Sequence, residues 1–357
     1  MDMRVPERPR IALIVDSESW AFANIARQIM HHLEPDYRFQ VIPAAVIDNI
    51  VQVLLMTEDC AVTHFFWRDF LNSVQDETAE RYVRSLGFRS PASFLRRFVH
   101  RRAITTSVYD HLFLSPPEVE ARRGLFNHLI KDYTVSSQRL LEIYRRLDGL
   151  PAPGMLIEDG VDLERFRPHN LQRLRALHDR PLVIGWAGNS SWSSERGEDF
   201  KGLHTLLRPA VQQLRQEGLD VRLELADRQQ HQIPHEEMPE YYARLDLYVC
   251  VSKMEGTPNP VLEALACGVP VISTDVGVVP QVLVGDPHGQ ILPERSIEAL
   301  KHRIRAYCLA GPEEAIRLSE YGLECIRHWG WADKAARFGQ FFARQIRRSH
   351  VHAALEH

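Results

Sequence analysis

Two carboxylates, Glu255 and Glu263, bracket the stretch Glu255-Gly256-Thr257-Pro258-Asn259-Pro260-Val261-Leu262-Glu263. Residues 247–252 before it read as a buried strand, and residues 260–267 after it as a short helix. Asn259 suits the N-cap of that helix and Pro260 its first turn. Gly268 ends it, Pro270 follows, and residues 269–274 form a second apolar strand. Glu255 therefore leaves the carboxyl end of a strand, where ligands bind in open α/β sheets. The helix start turns unpaired N–H groups toward the same place, which makes an anion site. A phosphate there would accept N–H bonds from about Thr257 to Val261. Neither carboxylate can hold the phosphate, because like charges repel. Each is suited instead to accept charge-assisted bonds from hydroxyls. Two such groups flanking one phosphate site match a ligand built as ribose, diphosphate and sugar, a nucleotide-sugar. The alternative is a helix start decorated with acids that favour its dipole.

These residues need a scaffold, and the pattern supplies one. Strands are predicted at residues 10–16, 38–42, 61–67, 104–109 and 133–136, with helices at 21–33, 74–86 and 91–102. The alternation restarts with strands at 182–187, 221–226, 247–252 and 269–274, and with a helix at 203–215. Such alternation indicates parallel sheets wound on both faces. Pro151-Ala152-Pro153-Gly154 punctuates the middle. At 357 residues the chain suits two domains, and its net charge of −4 gives no case for nucleic acid. No apolar run is long enough for a membrane-spanning helix, and the N-terminus lacks a signal-peptide pattern. Five scattered cysteines without a C-x-x-C pair point to a reducing cytoplasm. No G-x-G-x-x-G or P-loop is present, which argues against bound NAD(P) or ATP, and the residues show no zinc spacing. Residues 81–102 carry seven arginines and no acid. On a helix from Pro91, Phe94, Leu95, Phe98 and Val99 share one arc opposite Arg96, Arg97 and Arg101. This is the pattern of a peripheral helix at the inner membrane surface, and equally of a core-packed helix with a solvated basic face.

The segment from Glu255 to Glu263, with Ala264-Leu265-Ala266-Cys267-Gly268-Val269-Pro270-Val271-Ile272 behind it, resembles the E-x7-E signature of retaining glycosyltransferases of family 4, which have the GT-B fold. Met238-Pro239-Glu240-Tyr241-Tyr242 upstream, Gly160-Val161-Asp162-Leu163-Glu164-Arg165-Phe166 and Phe200-Lys201-Gly202-Leu203 resemble further segments of the family in the right order. The resemblance implies an α/β GT-B architecture of two Rossmann-like domains facing a cleft. Residues 1–155 would bind the acceptor and 156–328 the nucleotide-sugar, and a helix in 329–354 would cross back to the first domain. It implies a metal-independent transfer to an acceptor hydroxyl on a glycan, a lipid-linked carrier or a natural product. The donor is a substrate and no cofactor is needed, with a UDP-sugar favoured over GDP- or dTDP-sugars. The absence of any Asp-x-Asp pair agrees with metal independence. The rival readings are a nucleotide-sugar epimerase on the same fold and a catalytically silent partner protein.

Carried onto this chain, Glu255 would hold donor-sugar hydroxyls and Glu263 the ribose. Gly256, Thr257, Pro258, Asn259, Pro260 and Val261, with Lys201, would stabilise the departing diphosphate. Where the family has an arginine after the first strand of this domain, Gly188 is followed by Asn189. The missing charge would come from Arg196, or hydrogen bonds would replace it. The nucleobase would lie near Ile233-Pro234-His235. In the first domain Asp110 and His111 follow a strand where the family carries a His-Asp pair, but Tyr109 precedes the aspartate, so His111 fits either a donor contact or a structural role. Trp20, Trp67 and Arg68 leave other strands at the same face and are candidates for the acceptor wall; the tryptophans fit the core equally well.

Overall fold

The computed structural model describes residues 8–17, 21–99, 102–112, 114–192 and 197–355. Trp20, Arg101 and Arg196 lie outside the described residues. The chain divides into two units. One runs to Glu158 and resumes at Trp331; the other is Asp159–Gly330. The first joint falls after residue 155 because Met155–Leu156 is itself an edge strand of the first sheet, and Glu158 pairs with Lys334 and Arg337 of that unit.

The first unit is built on β1 (Arg10–Val15), which is apolar along nearly its whole length because it is covered on both faces. Six parallel strands take the order β2 (Arg38–Pro43), β1, β3 (Val62–Phe65), β4 (Ala103–Val108), β5 (Asp132–Val135) and β6 (Met155–Leu156). Residues alternate between the faces, as the two-residue strand period requires. Ala12 and Ile14 join Phe65, Ile104 and Tyr133 in one core, and Ile11, Leu13 and Val15 join Val62 in the other. Helix α1 (Ala21–Leu33) covers the second face. The first is covered by α2 (Ile50–Met56), α3 (Glu77–Ser85), α4 (Pro91–Phe98) and α6 (Gln138–Arg145), while α5 (Pro116–Gly124) runs on into a π-helical turn whose Leu125, Phe126 and Leu129 join that core.

The second unit has four parallel strands, in the order β10 (Val271–Ser273), β9 (Leu247–Cys250), β7 (Leu182–Gly188) and β8 (Val221–Asp227). Its helices are α7 (Arg208–Gln216), α8 (Met238–Tyr242), α9 (Asn259–Ala266), α10 (Val279–Val282) and α11 (Ile297–Ile326), which is broken at Gly311 before Pro312. The chain then returns to the first unit as α12 (Trp331–Leu355). This last helix seats Phe338, Phe341 and Phe342, all fully buried, on the sheet face beside α1. Arg344, Arg348 and Gln345 converge on the Asp132 carboxylate, all within about 3 Å. No helix among the described residues is long and apolar enough to cross a membrane.

Local departures from the sequence expectations have identifiable causes. The segment expected as one helix over 74–86 is a 3-10 stretch, Arg68–Gln75, followed by α3, with Asp76 in extended conformation between them. Helix α4 stops at Phe98 rather than near 102, because Arg102 is drawn inward: its guanidinium bonds the Thr57 hydroxyl and backbone carbonyls at the end of α2. The apolar arc of α4 is occupied, with Phe94 and Phe98 stacked 4.6 Å apart in the core and Phe88 edge-on to both. The apolar arc of this helix is thus packed on the core, with Leu95 partly buried and Arg96 and Arg97 exposed.

Beneath the α12 phenylalanines lies a polar ladder. His64 is fully buried, with Nδ1 2.9 Å from Thr105 Oγ1 and Nε2 2.9 Å from Ser107 Oγ, and Ser107 continues to Thr134. Phe66, Phe338 and Phe342 meet the ring edge-on. Burial lowers the imidazole pKa to about 3, whereas an unfolded histidine titrates near 6.5. Below about pH 6.5 the unfolded chain takes up a proton that the folded one refuses, so stability falls with pH by up to about 1.4 kcal/mol per unit until pH nears 3. The urea-unfolding free energy of His64→Gln is expected to decline less steeply from about pH 6 to pH 4 than that of the parent; parallel slopes would remove His64 from this linkage.

Candidate functional site

In the second unit the chain moves outward from β7 to β8 and then returns to the other side of β7 for β9. The connections leaving β7 and β9 therefore diverge at the carboxyl ends of neighbouring strands, the switch point where open sheets bind ligands. Lys201 comes from the first connection and Glu255 from the second. The structure brings them together: Lys201 Nζ is 2.6 Å from Glu255 Oε1, with side chains 18% and 14% exposed. The ammonium also lies over the Trp192 ring, 5.0 Å from its centroid, and Trp192 meets Phe200 edge-on.

Two residues that motif reading does not single out hold Lys201 in place. Asp199 accepts from the N–H groups of Gly202, His204 and Thr205 and so closes the turn that opens the helical run into α7. Burial raises its carboxyl pKa, but these N–H bonds outweigh it and the net shift is downward. Arg295 donates Nε to the Val251 carbonyl and Nη2 to the Asp199 carbonyl, both at 2.9 Å, tying the two connections together. Nothing in the spacing of Arg295, far downstream, signals this contact. Gly202 takes a φ of +71°, and a Cβ there would run into the Val251 carbonyl. Gly277, at φ +51°, lets its own loop approach the backbone of Glu255 and Gly256; a Cβ there would strike the Gly256 carbonyl.

The amide cradle expected at Thr257–Val261 is narrower than the sequence suggested. Pro258 and Pro260 have no N–H, the Asn259 N–H bonds the Thr257 carbonyl, and the Val261 N–H bonds the Pro258 carbonyl. Asn259 is the first residue of α9 rather than its side-chain cap; Pro258 precedes it, and Asn259 Oδ1 is buried without a hydrogen-bond partner among the described residues. The internal turn thus takes donors that were assigned to a phosphate. Asn189, expected to replace a cation, uses Oδ1 to accept from Ser191 N–H and from Gln229 Nε2 at 2.8 Å, so it organises its own loop. Gly188 ends β7 with no room for a Cβ to grow freely, since the Trp186 ring lies 3.2 Å from that position.

One turn into α9, Glu263 is 9% exposed and accepts from the Tyr242 hydroxyl at 2.7 Å and from His235 Nε2 at 3.1 Å. Burial, with the Glu263 charge, holds the Tyr242 pKa well above its ordinary value, so the phenol stays a donor. His235 and Glu263 were expected around the nucleobase and the ribose, and they share one hydrogen bond. Tyr242 and Arg165 complete the cluster; both sit in the segments that carry the resemblance, without a feature marking them as site residues.

In the first unit the order of strands reverses between β1 and β3. Trp67, just beyond β3, is 48% exposed, and its ring stacks on Phe70. Arg68 is not an open acceptor contact. It is 3% exposed and forks onto Asp110, with its two amino groups 2.8 and 3.3 Å from the carboxylate oxygens. Burial would raise the Asp110 pKa, but the Arg68 charge and the Leu112 N–H outweigh it and hold it below the usual range. Asp110 is thereby an anchor for the loop rather than a free proton carrier. A parallel pair joins Arg122 to Asp69 at 3.0 Å. His111 next to them is half-buried, and its Nδ1 has no hydrogen-bond partner among the described residues. Burial lowers its pKa against the opposing pull of Asp110.

Residues 222–324 match the family described as glycosyl transferases group 1. The matched segment contains both Glu255 and Glu263. The lipopolysaccharide core biosynthesis mannosyltransferase LpsB of Rhizobium meliloti is 35% identical over 182 residues, covering 44% of this chain and 51% of that protein. A GDP-mannose-dependent alpha-(1-6)-phosphatidylinositol monomannoside mannosyltransferase of Mycolicibacterium smegmatis is 25% identical over 212 residues, covering 52% and 54%. The chain spans about half the length of these curated relatives. Anabaena HepE in complex with UDP and glucose aligns with a TM-score of 0.66 at 14% identity, over 94% of this chain and all of that one. The two α/β units have the GT-B fold, and the family match lies within the second of them.

The glycine contacts generate a test. Gly285 has φ +73° with nothing near its Cβ position, so Gly285→Ala should lose only the left-handed penalty, about 1–2 kcal/mol. Gly277→Ala adds a backbone collision and should cost more in urea unfolding. Equal losses would show that the close approach to Gly256 is not tight.

Proposed function

We propose that this chain is a retaining, metal-independent glycosyltransferase that moves a sugar from a nucleoside-diphosphate sugar to an acceptor hydroxyl. The observation that carries the reading is the Lys201–Glu255 pair at the β7/β9 switch point, with Glu263 on the helix that follows. An ammonium and a carboxylate held side by side suit a ligand that presents negative phosphate beside neutral hydroxyls. On donor binding, Lys201 would turn its charge to the diphosphate and Glu255 would accept from hydroxyls of the sugar. The bond from the anomeric carbon to the phosphate oxygen breaks with its electron pair going to the diphosphate. The acceptor oxygen bonds to the same face of that carbon, and its proton passes to the departing phosphate oxygen. No protein nucleophile is required, and Glu255 is not assigned as a general base.

The GDP-mannose dependence in the name of the M. smegmatis relative and the UDP bound to HepE support a UDP- or GDP-sugar donor. The first unit would bind the acceptor, with Trp67 as its open aromatic surface.

Release of UDP or GDP from their sugar conjugates, with an acceptor hydroxyl present, tests the reading. Lys201→Met and Glu255→Gln should each lower kcat by about a hundredfold or more, as removal of one electrostatic group from such a site does. NMR of the product should show the donor's anomeric configuration, and EDTA should leave the rate unchanged. If the chain neither binds nor turns over any nucleotide-sugar, the proposal fails.

A further inference from the structure

Glu263 is gripped from both sides, and the direction of each hydrogen bond can be worked out. Arg165 Nη1 lies 2.9 Å from His235 Nδ1. A guanidinium has no lone pair with which to accept, so Arg165 donates and Nδ1 accepts. The ring proton must then sit on Nε2, and His235 donates to Glu263 Oε1 at 3.1 Å. From the other side the Tyr242 hydroxyl donates to Oε2 at 2.7 Å. Phe166 meets the His235 ring edge-on, with centroids 5.3 Å apart. The chain of donors is therefore Arg165 to His235 to Glu263, with Tyr242 closing the far end.

An ionised carboxylate offers about four lone-pair sites, two on each oxygen. One on each oxygen is taken. One on each oxygen remains, and the carboxylate plane cannot rotate without losing a donor. Two acceptor sites, one per oxygen of a fixed plane, fit two vicinal cis hydroxyls donating together. A ligand with only one of those hydroxyls would leave an acceptor site of a nearly buried carboxylate unpaired, which is costly for a charged group.

We propose that Arg165, His235 and Tyr242 are positioning residues that aim Glu263 at a ribose cis-diol, and that they make the site selective for ribonucleoside over 2′-deoxyribonucleoside diphosphates. The proposal rests on the donor-site reading above and narrows its substrate class to ribonucleotide sugars, setting dTDP-sugars aside. Selectivity comes from the fixed orientation of Glu263 rather than from its charge alone.

Calorimetric titration of the full chain with UDP, GDP and their 2′-deoxy counterparts tests it. The deoxy nucleotide should bind roughly ten- to a hundredfold more weakly than its ribo partner, the value of one hydrogen bond to a charged group. His235→Phe and Tyr242→Phe should move that ratio toward unity by weakening the ribonucleotide. His235→Gln, which keeps an N–H donor, should preserve most of it. Lys201→Met should weaken ribo and deoxy forms alike and leave the ratio unchanged. Because Tyr242→Phe deletes a single hydroxyl, it keeps the test valid if the histidine variant folds poorly. Equal ribo and deoxy affinities in the parent chain, or a ratio unmoved in both His235→Phe and Tyr242→Phe, overturns the proposal while leaving the donor site standing. If no nucleotide binds at all, the donor-site reading falls and this one with it.

Discussion

An ammonium and a carboxylate withdrawn from water hold each other only where the surrounding chain keeps both at hydrogen-bond distance, since each loses hydration on burial. The Lys201–Glu255 contact meets that condition because charged side chains and glycines nearby fix the backbone that carries it. Asp199 fixes the turn before Lys201, Arg295 ties that turn to the end of β9, and Gly277 allows the Glu255 loop to be overlaid by the next one. The pair sits where two neighbouring parallel strands send their chains in opposite directions. Satisfied by one another, the two groups need no ligand for stability.

The first unit uses charge differently. Arg68–Asp110 and Arg122–Asp69 are buried pairs that pin the loops after β3 and β4. Removing one member would strand the other, so these residues are framework, whereas Trp67 beside them is half exposed. The same economy governs α12, whose basic side chains close on Asp132 and Glu158 while its phenylalanines cover the sheet.

How far the sequence could be read follows from what kind of interaction each feature uses. All strands but the two-residue β6 were legible from their apolar runs and alternation with helices, and the E-x7-E segment because its spacing is local. The end of α4 was not, since it depends on Arg102 reaching carbonyls about forty-five positions earlier in the chain. The amide cradle was overestimated because a turn among Thr257, Pro258, Asn259 and Val261 bonds internally, and no residue type announces that choice. Arg68 looked like a surface cation because its partner Asp110 is forty-two positions away.

The sequence by itself determined the α/β class of fold and the two carboxylates, because periodicity and spacing act between near neighbours, while Lys201 was marked by the family resemblance of its segment. Only the tertiary structure decided which groups meet: that Lys201 closes on Glu255, that Asp199 and Arg295 hold that contact, and that Arg165, His235 and Tyr242 orient Glu263. Those pairings join strands and helices that parallel crossovers bring together from distant parts of the chain, and hydrogen bonds of about 3 Å are settled by packing that no linear pattern encodes.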